Sequence, residues 1–412
     1  MRVHVLNTGT ELLLGDVLNT HLSFIARQIF AVGLRVERHA TVPDGDAIKH
    51  ALLASFEKAE IMFVTGGLGP TTDDLTRDIV AELLGLALKE DAAVAATITA
   101  RLRAHRYPMT DRILRQAQVP EGATVLPNQN GTAPGLYLAA IQRGGMTTPH
   151  LFLLPGPPRE LHPMFSESVL PILRQIAPGG MKTDCRTFGI ACVGESMVEA
   201  AVGRQLLALS DIELGYCAHA GAVDVRVLGP TAAVDEAERI IRDAFGKSIY
   251  TTAGETLEQV VVAALAARQQ TLVTAESCTG GYLAHRVTNV AGSSAVFPAG
   301  NVTYANESKS VALGVPLELI EQHGAVSEPV AQGMAEGARE QSNASYALAT
   351  TGIAGPGGGS DEKPVGTVFV ALASADAATE VQRFRFMTDR QTFKHLATQR
   401  ALEMLRQRLI AV

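Results

Sequence analysis

Residues 60–85, EIMFVTGGLGPTTDDLTRDIVAELLG, contain the pattern that decides the fold of the N-terminal part of the chain. The apolar run EIMFVT predicts a buried strand, and the last dozen residues have the spacing of an amphipathic helix. A loop with three glycines joins the two, and Thr71 or Thr72 is the expected cap of the helix. The stretch therefore predicts a strand, a glycine-rich loop and a helix in direct succession.

The preceding residues repeat this order. RVHVLN (2–7) and LRVERHATV (34–42) are typical of strands, whereas NTHLSFIARQIFAVG (19–33) and AIKHALLASFEKA (47–59) are typical of helices. Asn19 or Thr20 is the expected cap of the first helix. This alternation predicts a mostly parallel sheet with helices on both faces, in which ligands bind at the carboxyl ends of the strands. The residues expected at those ends are Thr8, Gly9, Thr10, Glu11, Asp44 and the stretch from Gly66 to Asp74.

Two acidic residues, Asp73 and Asp74, follow the glycines of this loop. Glycine backbone N–H groups can approach an anion closely, and a helix N-terminus adds partial positive charge. The two aspartates either cap the helix or hold a divalent cation against a bound phosphate. A Walker A loop is excluded, because no Lys-Ser or Lys-Thr pair follows the glycines.

A predicted hairpin, GLYLAAIQRGG (135–145) with PHLFLLP (149–155), leads into the sequence PGPPREL. The prolines stiffen the connection, and Arg159 or Glu160 is expected to open the next helix. On residue types alone, a rigid strand-to-helix connection is the preferred interpretation.

Strict alternation is lost between about residues 171 and 253, where three strand-like and two helical segments predict a small α+β module. From residue 254 onward, alternation returns. A helix (256–270) and a strand (271–275) precede ESCTGGYLAHRVTNV (276–290), which is expected to begin a helix. Tyr304 then falls at a strand end and Lys309 at a helix start, and a glycine-rich loop covers residues 351–366. The predicted fold class is α/β, with a parallel-sheet domain (1–170), a small α+β connecting module (171–253) and a C-terminal α/β domain (254–412).

The pair Ser277-Cys278 offers two candidate nucleophiles beside a helix start, where free backbone N–H groups could hold an oxyanion. The same position would increase the nucleophilicity of Cys278. No histidine lies in the motifs that are expected to converge there, whereas a catalytic thiol usually has one. On the residues alone, a nucleophilic serine, a nucleophilic cysteine and a simple tight turn between strand and helix all remain open.

Composition excludes several classes of protein. The 412 residues carry a net charge of −7 and no run of lysines and arginines that could track a phosphate backbone, so direct nucleic-acid binding is not expected. The four cysteines form no C-x-x-C pair, which argues against a structural zinc or a disulfide framework. No signal peptide or membrane span is predicted, and the expected location is the cytoplasm.

Seven motifs occur in an order that resembles the competence/damage-inducible (CinA) family: GTELLLGD, TGGLGPTTDDLT, PGPPRE, TAESCTGG, NVTYANESK, GAVSEPVA and TTGIAGPGGG…KPVGTVF. The resemblance covers essentially the whole chain. It implies an N-terminal domain with the molybdopterin-binding fold that hydrolyses ADP-ribose to AMP and ribose 5-phosphate, with a divalent metal (Mg²⁺, Mn²⁺ or Co²⁺) and assistance from K⁺. It also implies a C-terminal domain that deamidates nicotinamide mononucleotide to nicotinate mononucleotide and ammonia without a cofactor.

The resemblance also assigns roles to residues. In the C-terminal domain, Ser277 is the implied nucleophile and Lys309 its base, with Tyr304 beside them. The implied nucleotide-binding residues are Thr279, Gly280, Gly281, Thr351, Gly352, Gly355 and Arg390. Thr388 stands where the family often has glycine, which bears on the placement of Arg390.

In the N-terminal domain, Asp44 and Asp74 match the acidic positions expected to face the metal. The residues expected to bind ADP-ribose are Thr8, Gly9, Glu11, Gly66, Gly67, Gly69, Thr72, Asp73 and Glu160. A homodimer is expected, because the apolar-rich domains leave surface that symmetric pairing commonly covers.

A Ser–Lys pair has its own chemical requirement. An amide is attacked only by an activated hydroxyl, and a lysine accepts the proton only when it is neutral. Its pKa must therefore fall from ~10.4 toward 7. Burial, a neighbouring Arg390 cation and the pyridinium charge of the substrate would each lower it. Without the resemblance, a solvated surface lysine is the preferred interpretation of Lys309.

Two other classes of protein remain open. One is a pterin-binding or molybdenum-cofactor protein, since a fold does not determine a function. The other is a competence-related protein that acts through protein partners after the loss of one or both activities.

Overall fold

The computed structural model describes residues 1–143, 146–178 and 184–411, and the chain divides into two units, Met1–Lys182 and Thr183–Val412. The predicted α/β class is confirmed. The sequence-based division ended the first domain at residue 170, whereas the first unit continues through the helix Leu170–Ile176, whose Leu173 is buried in the core of that unit.

A mixed six-stranded sheet forms the centre of the first unit, in the order β2-β1-β3-β10-β7-β6. The first four strands are mutually parallel, and β7 and β6 extend the sheet in antiparallel fashion. Two further pairs, β4 with β5 and β8 with β9, stand apart from it. The strands are β1 Arg2–Thr8, β2 Arg35–Val42, β3 Ile61–Thr65, β4 Leu88–Glu90, β5 Gln118–Pro120, β6 Thr124–Leu126, β7 Gly135–Leu138, β8 Ile141–Arg143, β9 Met146–Thr148 and β10 His150–Leu154.

Both faces of this sheet are buried, which explains why its strands are apolar at successive positions. On β3, Ile61 and Phe63 face one core, whereas Met62 and Val64 face the other. Helices cover the two faces, as the alternation predicted. They are α1 Thr10–Leu14, α2 His21–Phe30, α3 Asp46–Phe56, α4 Thr76–Leu83, α5 Ala92–Ala104, α6 Asp111–Leu114, α7 Pro158–Met164 and α8 Leu170–Ile176.

Local boundaries differ from the sequence-based expectation at two places. The short helix α1 was not predicted. Helix α4 begins at Thr76 with Leu75 at its N-cap, so the prediction that Thr71 or Thr72 caps it is wrong. The expected hairpin is present as antiparallel β7 and β10, and its residues 144–145 lie outside the described part of the chain.

The second unit contains two sheets. The first is antiparallel, in the order β12-β13-β11-β14, and two helices pack against it around a core that includes Phe188, Val202 and Ile241. The predicted α+β character of this region is confirmed. Its elements are β11 Asp184–Ala191, α9 Glu195–Leu207, β12 Glu213–His219, β13 Ala222–Gly229, α10 Thr231–Phe245 and β14 Ile249–Thr251.

The second sheet of this unit has five strands in the order β16-β15-β17-β18-β19, with β15 parallel to both of its neighbours. The carboxyl ends of β15, β16 and β17 therefore lie at the same edge. The elements are α11 Leu257–Ala267, β15 Leu272–Glu276, α12 Tyr282–Thr288, β16 Ala299–Val302, α13 Asn306–Leu313, α14 Leu317–His323, α15 Glu328–Ser342, β17 Tyr346–Gly352, β18 Thr367–Ser374, β19 Glu380–Arg385 and α16 Arg390–Ala411.

Within the described residues, no helix combines the length and the apolar character needed to cross a membrane.

Candidate active sites

Ser277 lies in a tight turn between β15 and α12. Its N–H donates to Thr350 O at 2.9 Å, and its own carbonyl accepts from Gly280 N at 3.1 Å. Helix α12 begins only at Tyr282, with Gly281 at its N-cap. The serine therefore precedes the helix by a full turn of chain, whereas the sequence suggested that the helix began almost at once.

A buried carboxylate closes this turn. Glu276 is fully inaccessible to solvent. Its Oε2 accepts from Thr279 Oγ1 at 2.7 Å and from Leu283 N at 3.0 Å, and its Oε1 accepts from Ala284 N at 2.8 Å. Two N–H groups of the first helical turn are thus occupied, so the prediction that the helix start offers them to an oxyanion is wrong for these two.

Backbone donors remain within the turn itself. Among the residues that the structure describes, no oxygen accepts the N–H of Thr279 or of Gly281. Thr279 is fully buried whereas Gly281 is partly exposed, so the N–H of Gly281 is the better candidate for holding a developing oxyanion.

Lys309 meets the serine from helix α13. Its Nζ lies 3.3 Å from Ser277 Oγ and donates to the carbonyl oxygens of Thr303, Tyr304 and Ala305 at 2.8, 3.3 and 3.4 Å. The residue is only 1% exposed, and this burial lowers the pKa of Lys309 below its ordinary value of 10.5. A neutral amine has two hydrogens and one lone pair, so it can keep two of these three carbonyl bonds while its lone pair accepts the serine proton.

Cys278 has the opposite character. Burial, assisted by the charge of Glu276, raises the pKa of the Cys278 thiol to about 12. A thiol with that pKa is protonated at neutral pH and is a poor nucleophile. The sequence-based preference for the serine therefore has a physical basis in the structure.

Arg390, at the start of α16, connects this helix to two other predicted site segments, the glycine-rich loop and the segment that contains Tyr304. Its Nη1 donates to Gly355 O at 2.8 Å, and its Nη2 donates to Tyr304 Oη at 2.9 Å. The helix start is capped by Asp389, whose Oδ1 accepts from Gln391 N and Thr392 N. Thr388 contributes only a long bond to that carboxylate, 3.4 Å, so its side chain does not displace Arg390 from Tyr304.

The two threonines expected to bind nucleotide are both fully buried. Thr279 Oγ1 lies 2.7 Å from Thr350 Oγ1, and Thr351 Oγ1 donates to Ala325 O at 2.7 Å. Their hydroxyls thus hold the turn and the end of β17 in place.

The first unit contains a cavity of about 880 Å³ at the carboxyl ends of its parallel strands. Of the residues expected to bind ADP-ribose or metal, Thr72 does not line it. Gly66 illustrates why glycine is needed: its φ is +98°, and a Cβ would stand 2.6 Å from Thr8 O. The predicted residues in the lining are Thr8, Gly9, Glu11, Asp44, Gly66, Gly67, Gly69, Asp73, Asp74 and Glu160.

Hydrogen bonds fix three of the carboxylates in this lining. Asp44 Oδ2 accepts from Thr10 N and Oγ1, both at 3.1 Å. Asp74 Oδ2 accepts from Thr71 N at 2.9 Å and from Thr71 Oγ1. Glu160 accepts from Asn128 Nδ2 at 2.8 Å. Asp74 therefore closes the glycine loop and does not cap the helix, which corrects that alternative.

Several polar residues of the cavity were missed from the sequence. Arg101, on α5, donates through Nη1 to the carbonyls of Gln129 and Gly131 at 2.8 and 2.9 Å. His21 and Gln116 are both more than 90% buried, and their Nε2 and Oε1 atoms have no hydrogen-bond partner within the described residues. These residues come from helices and connections distant in sequence, and no motif marked them.

The carboxylates that line the cavity do not form a ready-made metal site. In the described ranges, no group of three or more His, Cys, Asp or Glu side chains is placed to hold a metal ion. Asp44 and Asp74 each have a second carboxylate oxygen outside the hydrogen bonds described above, and carboxylate oxygens are the ligands that hard divalent cations prefer. Each of these carboxylates therefore has an oxygen available to a cation that is also bound by substrate phosphate or water.

Comparisons with known proteins match both the N-terminal and the C-terminal part of the chain to described families. Residues 4–175 match the family described as a probable molybdopterin binding domain, and residues 254–409 match the CinA C-terminal domain. A CinA-like protein of Akkermansia muciniphila is 43% identical over 402 residues, covering 98% of this chain and 96% of the relative. A putative competence-damage inducible protein of Moorella thermoacetica is 42% identical over 416 residues and 98% of both chains. A solved competence/damage inducible protein of Agrobacterium tumefaciens is 42% identical, covers 37% of this chain and 93% of its own, and has a TM-score of 0.36.

Proposed function

The chain belongs to the CinA family, and from that premise we propose that it is a hydrolase with two activities on breakdown products of NAD. The C-terminal domain would hydrolyse nicotinamide mononucleotide to nicotinate mononucleotide and ammonia. The N-terminal domain would hydrolyse ADP-ribose to AMP and ribose 5-phosphate. One observation carries the first activity: the buried amine of Lys309 lies 3.3 Å from Ser277 Oγ.

In the proposed deamidation, Ser277 Oγ attacks the carboxamide carbon while its proton passes to neutral Lys309. The carbonyl oxygen becomes an oxyanion facing the N–H group of Gly281. The resulting ammonium of Lys309 then protonates the leaving nitrogen, which departs as ammonia and leaves an ester on the serine. Water attacks this ester, Lys309 accepts the proton of the water, and Ser277 is released when that proton returns to it.

Tyr304 and Arg390 have a supporting place in this scheme. The phenol oxygen accepts a hydrogen bond from the arginine, which leaves the phenol hydrogen free to donate to substrate. The glycine-rich loop is tied to the same group through the carbonyl of Gly355.

For the N-terminal activity, the glycine loop would hold the pyrophosphate through backbone N–H groups. Asp44 and Asp74 would hold a divalent cation, which when bound neutralises charge on the pyrophosphate. Asp74 also fixes the loop by accepting from Thr71, so one side chain would serve both the loop and the cation. We also propose that a potassium ion assists the hydrolysis of ADP-ribose.

The experiment is direct. The pure protein is incubated with nicotinamide mononucleotide, and separately with ADP-ribose and Mg²⁺, Mn²⁺ or Co²⁺, and ammonia and AMP are measured. Release of both products is expected, and only ADP-ribose hydrolysis should stop when the metal is chelated. A protein that releases neither product would contradict the proposal.

A pterin ligand is the second candidate for the N-terminal cavity, because residues 4–175 match a family described as a probable molybdopterin binding domain. Equilibrium binding of molybdopterin measured beside ADP-ribose separates the two. Tighter binding of ADP-ribose is expected. A partner-only role in competence predicts no turnover at all, and direct nucleic-acid binding would appear as a salt-sensitive shift of single-stranded DNA.

The proposal includes a homodimer located in the cytoplasm. Sedimentation at micromolar concentration should give twice the chain mass of 43.5 kDa. A mass of one chain would contradict the dimer without affecting either activity.

A further inference from the structure

The second unit contains a cavity of about 470 Å³, which is lined by helix α16, strand β19 and the end of strand β11. Cavities of about 300–1,000 Å³ are typical of small-molecule sites. None of the described residues that were assigned to either proposed activity lines this one. The cavity is therefore distinct from both candidate active sites.

Polar side chains face this cavity from both α16 and β19. On the helix they are three or four residues apart, a spacing that places them on one side: Arg400, Glu403, Gln407 and Arg408. On the strand, Glu380 and Gln382 are two residues apart and share a face. The opposite side of the helix is apolar, and its Leu402 and Leu409 are buried in the core. Both elements thus place polar side chains where packing alone favours apolar ones, which indicates a binding site.

The two carboxylates of the lining already have cationic partners. Both carboxylate oxygens of Glu403 accept from Arg406 at 2.7 Å. Glu380 Oε2 accepts from Arg408 Nη2 at 3.5 Å. Their charges are therefore balanced within the protein, so they do not favour a ligand that carries an ammonium group.

Arg400 is a cation of the lining that lacks an anionic partner. Its guanidinium lies 4.9 Å from the ring centroid of Phe384, a contact that holds the group without neutralising its charge. Within the described part of the chain, no carboxylate or carbonyl oxygen accepts its N–H groups. Cys192 also lines the cavity, but burial raises the pKa of its thiol to about 11, so the thiol is uncharged at neutral pH. The cavity thus presents one positive charge that an anionic ligand would balance.

Two glutamines supply hydrogen-bond acceptors. Gln382 Nε2 donates to Glu380 Oε1 at 2.6 Å. Gln407 Nε2 donates to Glu403 Oε1 at 2.6 Å and to Lys247 O at 3.0 Å. Because these partners are acceptors, they fix each amide with its N–H side toward the protein. Among the described residues, no group donates to either amide carbonyl, so hydroxyl groups of a ligand would complement them.

From this arrangement we propose that the cavity binds a small polyhydroxylated anion, a sugar phosphate or a sugar acid. Its anionic group would lie on Arg400 and its hydroxyls on the carbonyls of Gln382 and Gln407. A guanidinium forms paired hydrogen bonds with a phosphate or with a carboxylate, so the two ligands share one recognition chemistry. The site does not depend on either proposed activity.

Calorimetric titration of the full-length protein with ribose 5-phosphate and with gluconate tests the proposal, and ribose is the uncharged comparison. Arg400→Gln removes the charge and keeps a polar side chain, whereas Gln382→Met removes one amide carbonyl. Arg385→Gln is the matched control, because this exposed arginine of β19 does not line the cavity. Ribose 5-phosphate is also the proposed product of the first unit, so only binding that Arg400→Gln weakens is assigned to the cavity.

We expect the wild type to bind at least one of the two anions, and the tighter of them identifies the anionic group. Its Kd should rise at least about tenfold in Arg400→Gln, as loss of charge-assisted hydrogen bonds predicts. Ribose should bind the wild type more weakly by a similar factor. Gln382→Met should raise the Kd about threefold or more, and Arg385→Gln should leave it unchanged.

Hydrogen exchange of the wild-type protein gives a second measurement that does not depend on the folding of a variant. The bound anion should slow exchange within residues 380–385 and 400–411. Failure of the wild type to bind either anion would overturn the site, as would equal affinities of the wild type and Arg400→Gln. Protection confined to the first unit would place the anion elsewhere and would overturn it as well.

Discussion

The Ser277 turn and the N-terminal cavity differ in how much of the chemistry the protein itself completes. At Ser277, nucleophile, amine and backbone donors lie within a few ångströms, and burial already lowers the pKa of Lys309. In the cavity, five carboxylates and a glycine loop surround about 880 Å³, and their proposed chemistry needs a cation. The chemistry of the Ser277 turn depends on burial of its own side chains, so substitutions alone can test it. The proposed chemistry of the cavity depends on carboxylates that bind a cation, so it must be tested with the metal present.

The largest expected effect comes from the lysine. Lys309→Met keeps an unbranched buried side chain and removes the base, so kcat for deamidation should fall by at least about 10³-fold. Lys309→Arg is the sharper variant, because a guanidinium keeps the charge and cannot accept a proton at neutral pH. Both variants should be inactive in ammonia release while ADP-ribose hydrolysis continues. An active Lys309→Arg protein would show that the lysine supplies charge rather than basicity.

The next effect concerns Asp74. Asp74→Ala should lower metal-dependent hydrolysis of ADP-ribose by about 10²- to 10³-fold, because a cation ligand is lost. Asp74→Asn separates two roles, since an amide oxygen can still accept from Thr71 but carries no charge. AMP release at saturating metal should be low for both variants. Wild-type turnover of the asparagine variant would mean that Asp74 only closes the loop.

The pH dependence distinguishes the two sites further. Burial lowers the pKa of Lys309, and the neutral amine is the active form. Deamidation kcat/KM should therefore rise about tenfold per pH unit below that pKa and level off before pH 10.5, the ordinary value for lysine. The Cys278→Ala variant should keep the same profile. A profile that levels off only above pH 10.5 would contradict the prediction that burial lowers the pKa of the catalytic lysine.

A smaller effect is expected from Glu276, which accepts three hydrogen bonds while fully buried. Glu276→Gln places an amide donor against backbone N–H groups and should lower the free energy of unfolding by about 2–4 kcal/mol. Thr279→Ser keeps the hydroxyl and is the matched control. Denaturant unfolding measures both. Wild-type stability of the glutamine variant would show that the carboxylate does not hold the turn.

Periodicity predicted the strands and helices around both sites, because burial on both sheet faces leaves apolar runs such as EIMFVT. Motif order predicted which segments meet. The start of α4 was misplaced because Thr71 follows the glycines as a cap would, yet its groups donate to Asp74. Glu276 was missed because its partners lie three to eight residues ahead, across a turn whose shape the sequence does not display.

The polar residues of the cavity show the same limit. Arg101 and Gln116 reach it from segments that carry no motif, and only the folded chain brings them to the glycine loop. Residue type alone also favoured a solvent-exposed position for the side chain of Lys309. Its burial follows from the packing of α13 against α14 and α15, tertiary contacts that the local sequence does not specify.

Ammonia release from nicotinamide mononucleotide by Ser277→Ala and Cys278→Ala, run side by side, tests the central claim most directly. Each substitution removes one heavy atom from adjacent positions of one turn, and ADP-ribose hydrolysis serves as the internal control of folding. We expect the serine variant to lose deamidation to the same extent as Lys309→Met, and the cysteine variant largely to retain it. An active serine variant beside an inactive cysteine variant, with ADP-ribose hydrolysis intact in both, would contradict the assignment of the nucleophile.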